Sequence, residues 1–548
     1  MFSYPDLNIL FLLQTDEMRK IILIAVFLFL TAVTITAFYF SRIKLPGQNT
    51  ANIINQSPQN AALVFEFKND PEFYALFKDS PLLTSFIGQK KANELQYLHD
   101  HLLKQAEIRS ALSNRSIFIS LHPEINSNNT EMLLTTNSNG IADLQESLET
   151  IVRQTNAAIE SNKIGNKTIQ IIYFPALKEA FYFTINAEVM AGSFSKTLLL
   201  NFLDERVENK FNNLTQLSDQ QNKNSIADLY VNYQQFPVLF KMLFKNQQDD
   251  FFRFLTGFQA NSALSLNYKS DALLFNGYTQ TDTAAATYLN LFLKQQPVKN
   301  SIKDIYPINT ASAISFAYNQ TAGFLKELDN WQIKRHDDLK AKALFKLIRE
   351  ETGVSIQTAF RKQLGKEFAV ITTAENEKVA VVKVKNGSEL EPFLRNISVD
   401  PDSNQMRLKY HDLFYYLLGE PFLHFKQPYF VLIDNYLLLS ESETGIKNYL
   451  GNYHQQHFIS EDQQYYEFDQ LLAEQSNISF FMHLPNSFQN FKNRLRPEIA
   501  KSFGQKNPGW KDYFAVALQF TASQNNFYTN LYLQQSKPKT VKRDTTVF

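Results

Sequence analysis

The 548 residues carry 54 basic and 54 acidic side chains and no cysteine, so the formal charge is zero. Such a balance removes the electrostatic drive toward nucleic acid, and a thiol-free chain has neither a cysteine nucleophile nor a cysteine for lipid acylation. Phe is abundant at 48 residues and Gly scarce at 16. That composition can fill a large core and leaves little material for Gly-rich phosphate loops.

The first predicted element is a membrane-spanning helix over residues 21–40. Between Ile21 and Phe40 nothing is charged, and 13 of the 20 residues are Leu, Ile, Val or Phe. At about 1.5 Å per residue the run covers roughly 30 Å, the thickness of a bilayer's hydrocarbon core. Its large apolar side chains sum to roughly −4 to −8 kcal/mol of insertion free energy. Read instead as a cleaved leader, the segment would be cut after Ala37, with Ile35 standing where a small residue is needed. An uncleaved anchor fits better, and Met18-Arg19-Lys20 reads as a natural start, leaving residues 1–20 as a short tail. Arg19 and Lys20 balance Arg42 and Lys44, so the basic residues alone do not orient the helix. The short tail and the absence of Lys or Arg between Lys44 and Lys68 place the large C-terminal part outside the cytoplasm, tethered to the cytoplasmic (inner) membrane. A cysteine-free composition fits that oxidising exterior.

Residues 41–56 read as a polar linker rich in Asn and Gln. Beyond it the chain repeats its own pattern at about 250 residues. The strand-like run from Ala62 through Leu63 to Phe67, followed by Phe73 in a helical segment, returns as the run from Ala313 through Ile314 to Tyr318, followed by Phe324. Ile117-Phe118-Ile119 matches Ala369-Val370-Ile371. A paired strand then leads through Asn139-Gly140 or Asn386-Gly387 into a short helix bearing Leu144 and Leu148 or Leu390 and Leu394. Phe181-Tyr182-Phe183 matches Phe430-Val431-Leu432, and Leu229-Tyr230-Val231 matches Ile478-Ser479-Phe480. A closing hairpin starting at Ala263 matches one starting at Ala515.

These landmarks predict an α+β class, with two tandem, duplicated units at residues 57–299 and 302–535. Each has a mainly antiparallel sheet with helices packed on one face. Residues 536–548, with Lys537, Lys539, Lys542 and Arg543, read as a disordered basic tail. The layout of one N-terminal membrane helix, a polar linker and an opening like Ala61 to Phe73 resembles a group of uncharacterised bacterial membrane-anchored envelope proteins. That group has no known activity, so the resemblance implies a layout and carries over no residues.

No pattern in the chain specifies catalysis, a cofactor or a metal, and no site residue is assigned. His99 with His101 and His454 with His457 are close in sequence but lack the further ligands that a zinc site requires. Glu350-Glu351 and Glu441 with Glu443 read as exposed carboxylates rather than an acid–base pair. Asp337-Asp338 beside Lys334-Arg335-His336 reads as a solvated helix face, with Leu339, Ala343 and Leu347 as the apolar stripe. Phe251-Phe252-Arg253-Phe254 and Phe480-Phe481-Met482 read as core rather than a lipid groove. The composition therefore favours a non-enzymatic envelope scaffold or binding module with an envelope protein partner. A hydrolase with its site between the units and a carrier of a hydrophobic ligand are the alternatives.

Overall fold

A computed structural model describes residues 60–68, 89–104, 109, 112, 115–124, 129–138, 153, 157–164, 167–185, 189–204, 225, 227–245, 254–269, 271–399, 406–497, 500 and 513–537. The membrane helix expected at 21–40, the linker at 41–56, the segment bearing Phe73, the Asn139-Gly140 turn, the helix bearing Leu144 and Leu148, and the tail past 537 lie outside these residues. Among the described residues no helix is long and apolar enough to cross a membrane.

Ten strands come from the first half: β1 (Leu63–Lys68), β2 (Ser116–Glu124), β3 (Asn129–Asn137), β4 (Ala158–Ile164), β5 (Lys167–Phe174), β6 (Glu179–Ile185), β7 (Val189–Ser193), β8 (Ala227–Asn232), β9 (Ala260–Lys269) and β10 (Ala272–Thr281). A short β11 (Val298–Lys299) lies in the join. The second half supplies β12 (Thr310–Ala317), β13 (Leu364–Thr373), β14 (Lys378–Val384), β15 (Met406–Arg407), β16 (Tyr429–Ile433), β17 (Tyr436–Ser440), β18 (Gln475–Ser476), β19 (Ile478–His483), β20 (Tyr513–Ser523) and β21 (Asn526–Gln535). β11 pairs only with β18, and the other strands form a single 19-stranded sheet. All its ladders are antiparallel. From edge to edge the order is β4-β5-β6-β7-β3-β2-β1-β8-β9-β10-β21-β20-β19-β12-β13-β14-β17-β16-β15.

This architecture corrects the expected fold class in two respects. The α+β reading closed a separate sheet in each unit, whereas β10 pairs with β21 from Ala272–Gln534 to Thr279–Phe527 and joins all the strands into one sheet. Each closing hairpin ends in a strand whose outer N–H and C=O groups need partners, and pairing the two hairpins satisfies both edges at once. Helices also cover both faces rather than one. On one face Ile314, Phe316 and Phe368 pack under helical Phe324, Leu328, Trp331 and Phe360. On the other face Ala313, Ala369 and Ile371 pack under helical Ile446, Tyr449, Tyr465 and Phe468. Strands buried on both sides need apolar residues at successive positions, which is why Leu437, Leu438 and Leu439 are all fully buried.

The ladders are symmetric about the β10–β21 seam. Gly277 stands opposite Thr529. Outward on one side the partners run Leu264, Leu229, Phe65, Ile119, Leu134, Gly192 and Phe183. On the other side they run Phe520, Ile478, Phe316, Phe368, Val382, Leu437 and Leu432. The same strand order therefore occurs twice, and the row fixes which residues correspond. Leu63 with Ile314, Leu229 with Ile478 and Phe183 with Leu432 correspond as the sequence pattern indicates. Ile117, however, corresponds to Lys366 rather than Ala369, and Ala263 to Gln519 rather than Ala515. β13 and β20 also carry register shifts, between Leu364 and Phe368 and between Tyr513 and Ala515, where the ladders of their counterparts β2 and β9 run without one.

The seam is also stitched by side chains. On one face the Ser262 hydroxyl donates to the Tyr233 hydroxyl (3.0 Å) and meets Thr279 Oγ1 (2.5 Å), which meets Thr529 Oγ1 (2.7 Å). On the other, Asn267 Nδ2 donates to Asn276 Oδ1 (3.1 Å), and Asn276 Nδ2 donates to Asn530 Oδ1 (2.5 Å). Gly277 sits where a Cβ would lie 2.0 Å from the Ala263 carbonyl oxygen, so β9 and β10 approach more closely than any side chain allows. Gly277→Ala is therefore expected to cost about 3 kcal/mol or prevent folding. Thr529→Ala, directly opposite, should cost only about 1 kcal/mol, because it removes a hydroxyl contact without a clash. Urea unfolding of the two variants checks the difference.

Candidate functional site

The His and carboxylate groups that the strands bury lie on one face of the sheet. In the first half β1, β2 and β8 carry two clusters there. The first joins Asn60, Ser120 and His122. Strand alternation puts Ser120 and His122 on the same side of β2, where His122 Nε2 lies 2.7 Å from Ser120 Oγ and His122 Nδ1 lies 2.9 Å from Asn60 Oδ1. With the Nδ1 proton given to Asn60, Nε2 accepts from the serine hydroxyl, the order of contacts of nucleophile, base and orienting group. Ser120 and His122 are each only 1% exposed, and the hydroxyl also lies 3.3 Å from the Leu133 carbonyl oxygen. The arrangement is sealed from solvent, and burial drives the His122 imidazole down to about 3, so it is neutral at physiological pH.

The second cluster is a carboxylate pair. Glu66 and Asp228 stand directly opposite each other on β1 and β8. The Tyr230 hydroxyl donates to Glu66 Oε2 (2.7 Å), while Ser265 (2.7 Å) and Ser225 (3.0 Å) donate to Asp228 Oδ1. Burial pushes the Asp228 carboxyl up to about 6; the serine hydroxyls pull against that and the neighbouring Glu66 charge adds to it. The Tyr230 hydroxyl is raised well above its ordinary value, by burial first and then by the two carboxylates. Asp228 can thus hold or release a proton near neutral pH.

Neither cluster is required by the architecture, because the second half builds the same positions from other residues. Ser120 and His122 correspond to Ala369 and Ile371, and Glu66 to Ala317. Asp228 corresponds to Asn477, whose Nδ2 donates to the carbonyls of Gln296 (3.0 Å) and Ala317 (3.2 Å) and whose Oδ1 accepts from the Ala522 N–H (2.8 Å). In the second half the buried polar groups on this face include Ser315, Ser479, Gln519 and Glu367. Glu367 accepts from the N–H groups of Ser301 (2.7 Å) and Ile302 (3.1 Å) and from Lys383 Nζ (3.3 Å), which pins the join between the halves to β13.

The residues singled out from sequence are dispersed. His99 meets Asp100 at 3.3 Å, and His101 stacks on Tyr97 with ring centroids 4.0 Å apart. His454, His457, Glu350, Glu351, Glu441 and Glu443 are exposed. Among the described residues no group of three or more His, Asp or Glu could hold a metal ion. Phe254 packs edge-on against Phe258 (4.6 Å) and Phe316 (5.7 Å), while Phe480 and Phe481 are both buried, on opposite faces. Residues 251–253 lie outside the described residues.

One surface element reverses its expected role. α1 (Thr321–Lys334) and α2 (Asp338–Thr352) pack on the sheet, and α2 ends at Gly353, whose φ of 72° suits a residue without a Cβ. α2 turns Ala341, Leu344, Phe345 and Ile348 toward the core. Leu339, Ala343 and Leu347, read from sequence as its buried stripe, lie on the outer face, where Leu339 is 73% and Leu347 44% exposed. Lys340 and Lys346 flank this outer stripe on either side at helical spacing. Their partners lie 3.4 Å away at Asp337 and 3.6 Å away at Glu350. Asp337 is itself largely covered and accepts from the Tyr415 hydroxyl (2.7 Å). The rim of the stripe therefore carries Lys340 and Lys346 together with the exposed Glu350 carboxylate.

No protein-family model, curated protein or solved structure matches the chain.

The two buried titrating groups impose opposite pH dependences. The folded pKa of His122 lies below the ordinary 6.5, so its contribution is complete above that pH and is lost as pH falls toward 3, by about 1.4 kcal/mol per unit. The folded pKa of Asp228 lies above the ordinary 3.8, so its contribution is complete below that pH and is lost as pH rises through 6. Urea unfolding at pH 4 to 8 should accordingly show His122→Gln flattening the acid limb. Asp228→Asn, the amide found at the matching position in the second half, should raise stability at pH 7 by on the order of 2 kcal/mol and give little at pH 4.

Proposed function

We propose that this chain is a single-pass, membrane-anchored extracytoplasmic protein of the cell envelope. It is held in the cytoplasmic (inner) membrane by residues 21–40 and works as a non-enzymatic scaffold or binding module. The observation that carries the binding role is the outer face of α2. Leu339, 73% exposed, and Leu347, 44% exposed, stand with Ala343 in one stripe on a helix already anchored by a second apolar face, and a contiguous apolar surface of this kind supports a contact role. The stripe lies on a helix bound to a 19-stranded sheet, so it is presented in a fixed geometry, which lowers the ordering cost of association.

The occupant that this surface fits is a protein segment with an apolar stripe bordered by carboxylates. Leu339, Ala343 and Leu347 supply the apolar contact, and Lys340 and Lys346 supply the complementary rim. Exposed ion pairs such as Lys340–Asp337 and Lys346–Glu350 contribute at most about 1 kcal/mol, so these lysines exchange partners at little cost.

Because the chain has no cysteine, Ala343→Cys provides a unique attachment point for a crosslinker in native membranes. A discrete partner should be captured from this position and not from Asn448→Cys on a different exposed helix. Adding Leu339→Glu and Leu347→Glu should cut the capture at least tenfold while the melting temperature stays the same. Equal capture from both positions, or capture indifferent to the two glutamates, contradicts the binding surface.

A further inference from the structure

Among the described residues, the strands β4-β5-β6-β7-β3-β2-β1 connect to the remainder of the sheet through a single ladder, β1 with β8. Five residue pairs make it, from Leu63–Val231 to Phe67–Ala227, so one unfavourable pair weighs heavily on the whole ladder. Glu66 facing Asp228 is one of the five. Directly opposed antiparallel residues have Cα atoms about 4.5 to 5.5 Å apart and side chains on the same face, so the two carboxyl groups occupy one site.

The surroundings offer the pair hydrogen bonds but little opposing charge. Tyr230 donates to Glu66, and Ser225 and Ser265 donate to Asp228. Among the described residues the cation that acts on Asp228 is Lys68, which is exposed at the end of β1 and pulls more weakly than burial, the serines or Glu66. β2 places Phe118 opposite Glu66, with Ser120 and the neutral His122 further along the same side. β9 adds Ala263 and Ser265, and the helix Lys196–Leu203 adds Phe202 over the same face. None of these neutralises a second carboxylate.

We infer that the Glu66–Asp228 pair is a proton-operated latch on the β1–β8 ladder. With one proton on the pair a single negative charge remains, and the three hydroxyls satisfy it. Loss of that proton sets two like charges opposite each other across the ladder, where little water screens them. The ladder weakens, and the strands from β4 to β1 loosen from the sheet. Burial pushes the Asp228 carboxyl up to about 6, above its ordinary 3.8. The latch is therefore shut in acid and opens as pH rises through 6. The second half supplies an internal control, because the matching β12–β19 ladder has Ala317 and Asn477 at these positions and no charge to titrate there.

Hydrogen exchange of the full chain from pH 5 to pH 8, corrected for the intrinsic rate at each pH, tests the latch in wild type and in Asp228→Asn. Protection of the β1 and β8 amides should fall about tenfold over this range in the wild type, while β12 and β19 stay constant. In Asp228→Asn the fall should disappear. Protection of β1 and β8 that does not change with pH, an equal fall in β12 and β19, or a fall that persists in Asp228→Asn would each overturn the latch. If Asp228→Asn does not fold, the comparison of the two ladders in the wild type decides alone.

Discussion

Everything else in the molecule depends on the antiparallel ladder between β10 and β21. Without it each half would end in a long hairpin with an open edge, and a ten-residue strand of mixed apolar and polar residues is a template for association with other chains. Pairing the two hairpins removes both edges inside one chain and turns two similar sets of strands into one sheet. Among the described residues the strand edges left at the outside are β4 and the two-residue β15. Because Gly277 and Thr529 are corresponding residues that face each other, the pairing works like an isologous dimer contact built within a single polypeptide. The contact is backbone to backbone, reinforced on one face by the Ser262–Thr279–Thr529 hydroxyls and on the other by Asn276 and Asn530.

Symmetry of the ladders makes the asymmetries of chemistry informative. Where the second half has Ala369, Ile371, Ala317 and Asn477, the first has Ser120, His122, Glu66 and Asp228. The fold is thus satisfied by residues without charge at those places. A buried ionisable group that the architecture does not need costs stability at some pH, which is the physical basis for treating the first-half clusters as chemically distinct. In the second half the corresponding face is largely apolar, with Ala313, Ala369 and Ile371 under the helices, and its buried carboxylate Glu367 holds the join to β13.

How much of this was legible in the sequence depended on whether the signal was local. The corresponding strands β1 and β12, and β8 and β19, match residue for residue in the sequence, since Leu63 and Ile314 or Leu229 and Ile478 begin equivalent apolar runs with no irregularity inside them. The matches at Ile117 and Ala263 are off by a few residues, because an apolar run resembles itself at several registers and only the ladders fix which one is used. The seam itself was invisible. Two closing hairpins look alike whether they end separate sheets or pair with each other. The stripe of α2 was assigned to the wrong side because the helix has two apolar faces, and spacing alone cannot say which of them meets the sheet. The Ser120–His122 pair carried a readable signal, a Ser-x-His on one strand face, but its partner Asn60 sits before β1 and only the β1–β2 ladder brings it near. The face of α2 supports the binding reading because it remains apolar after the core has been filled.

The central claim, that one sheet runs through both halves, is tested most directly by joining the seam covalently. The cysteine-free chain allows the double variant Asn276→Cys and Asn530→Cys, whose positions stand directly opposite on β10 and β21. Directly opposed antiparallel residues have Cα atoms about 4.5 to 5.5 Å apart, within the range a disulfide spans. Oxidation of the dilute protein is expected to give a rapid intrachain disulfide and a higher melting temperature, with no dimer on a non-reducing gel. Free thiols after oxidation, or crosslinking only between chains, would contradict the continuous sheet.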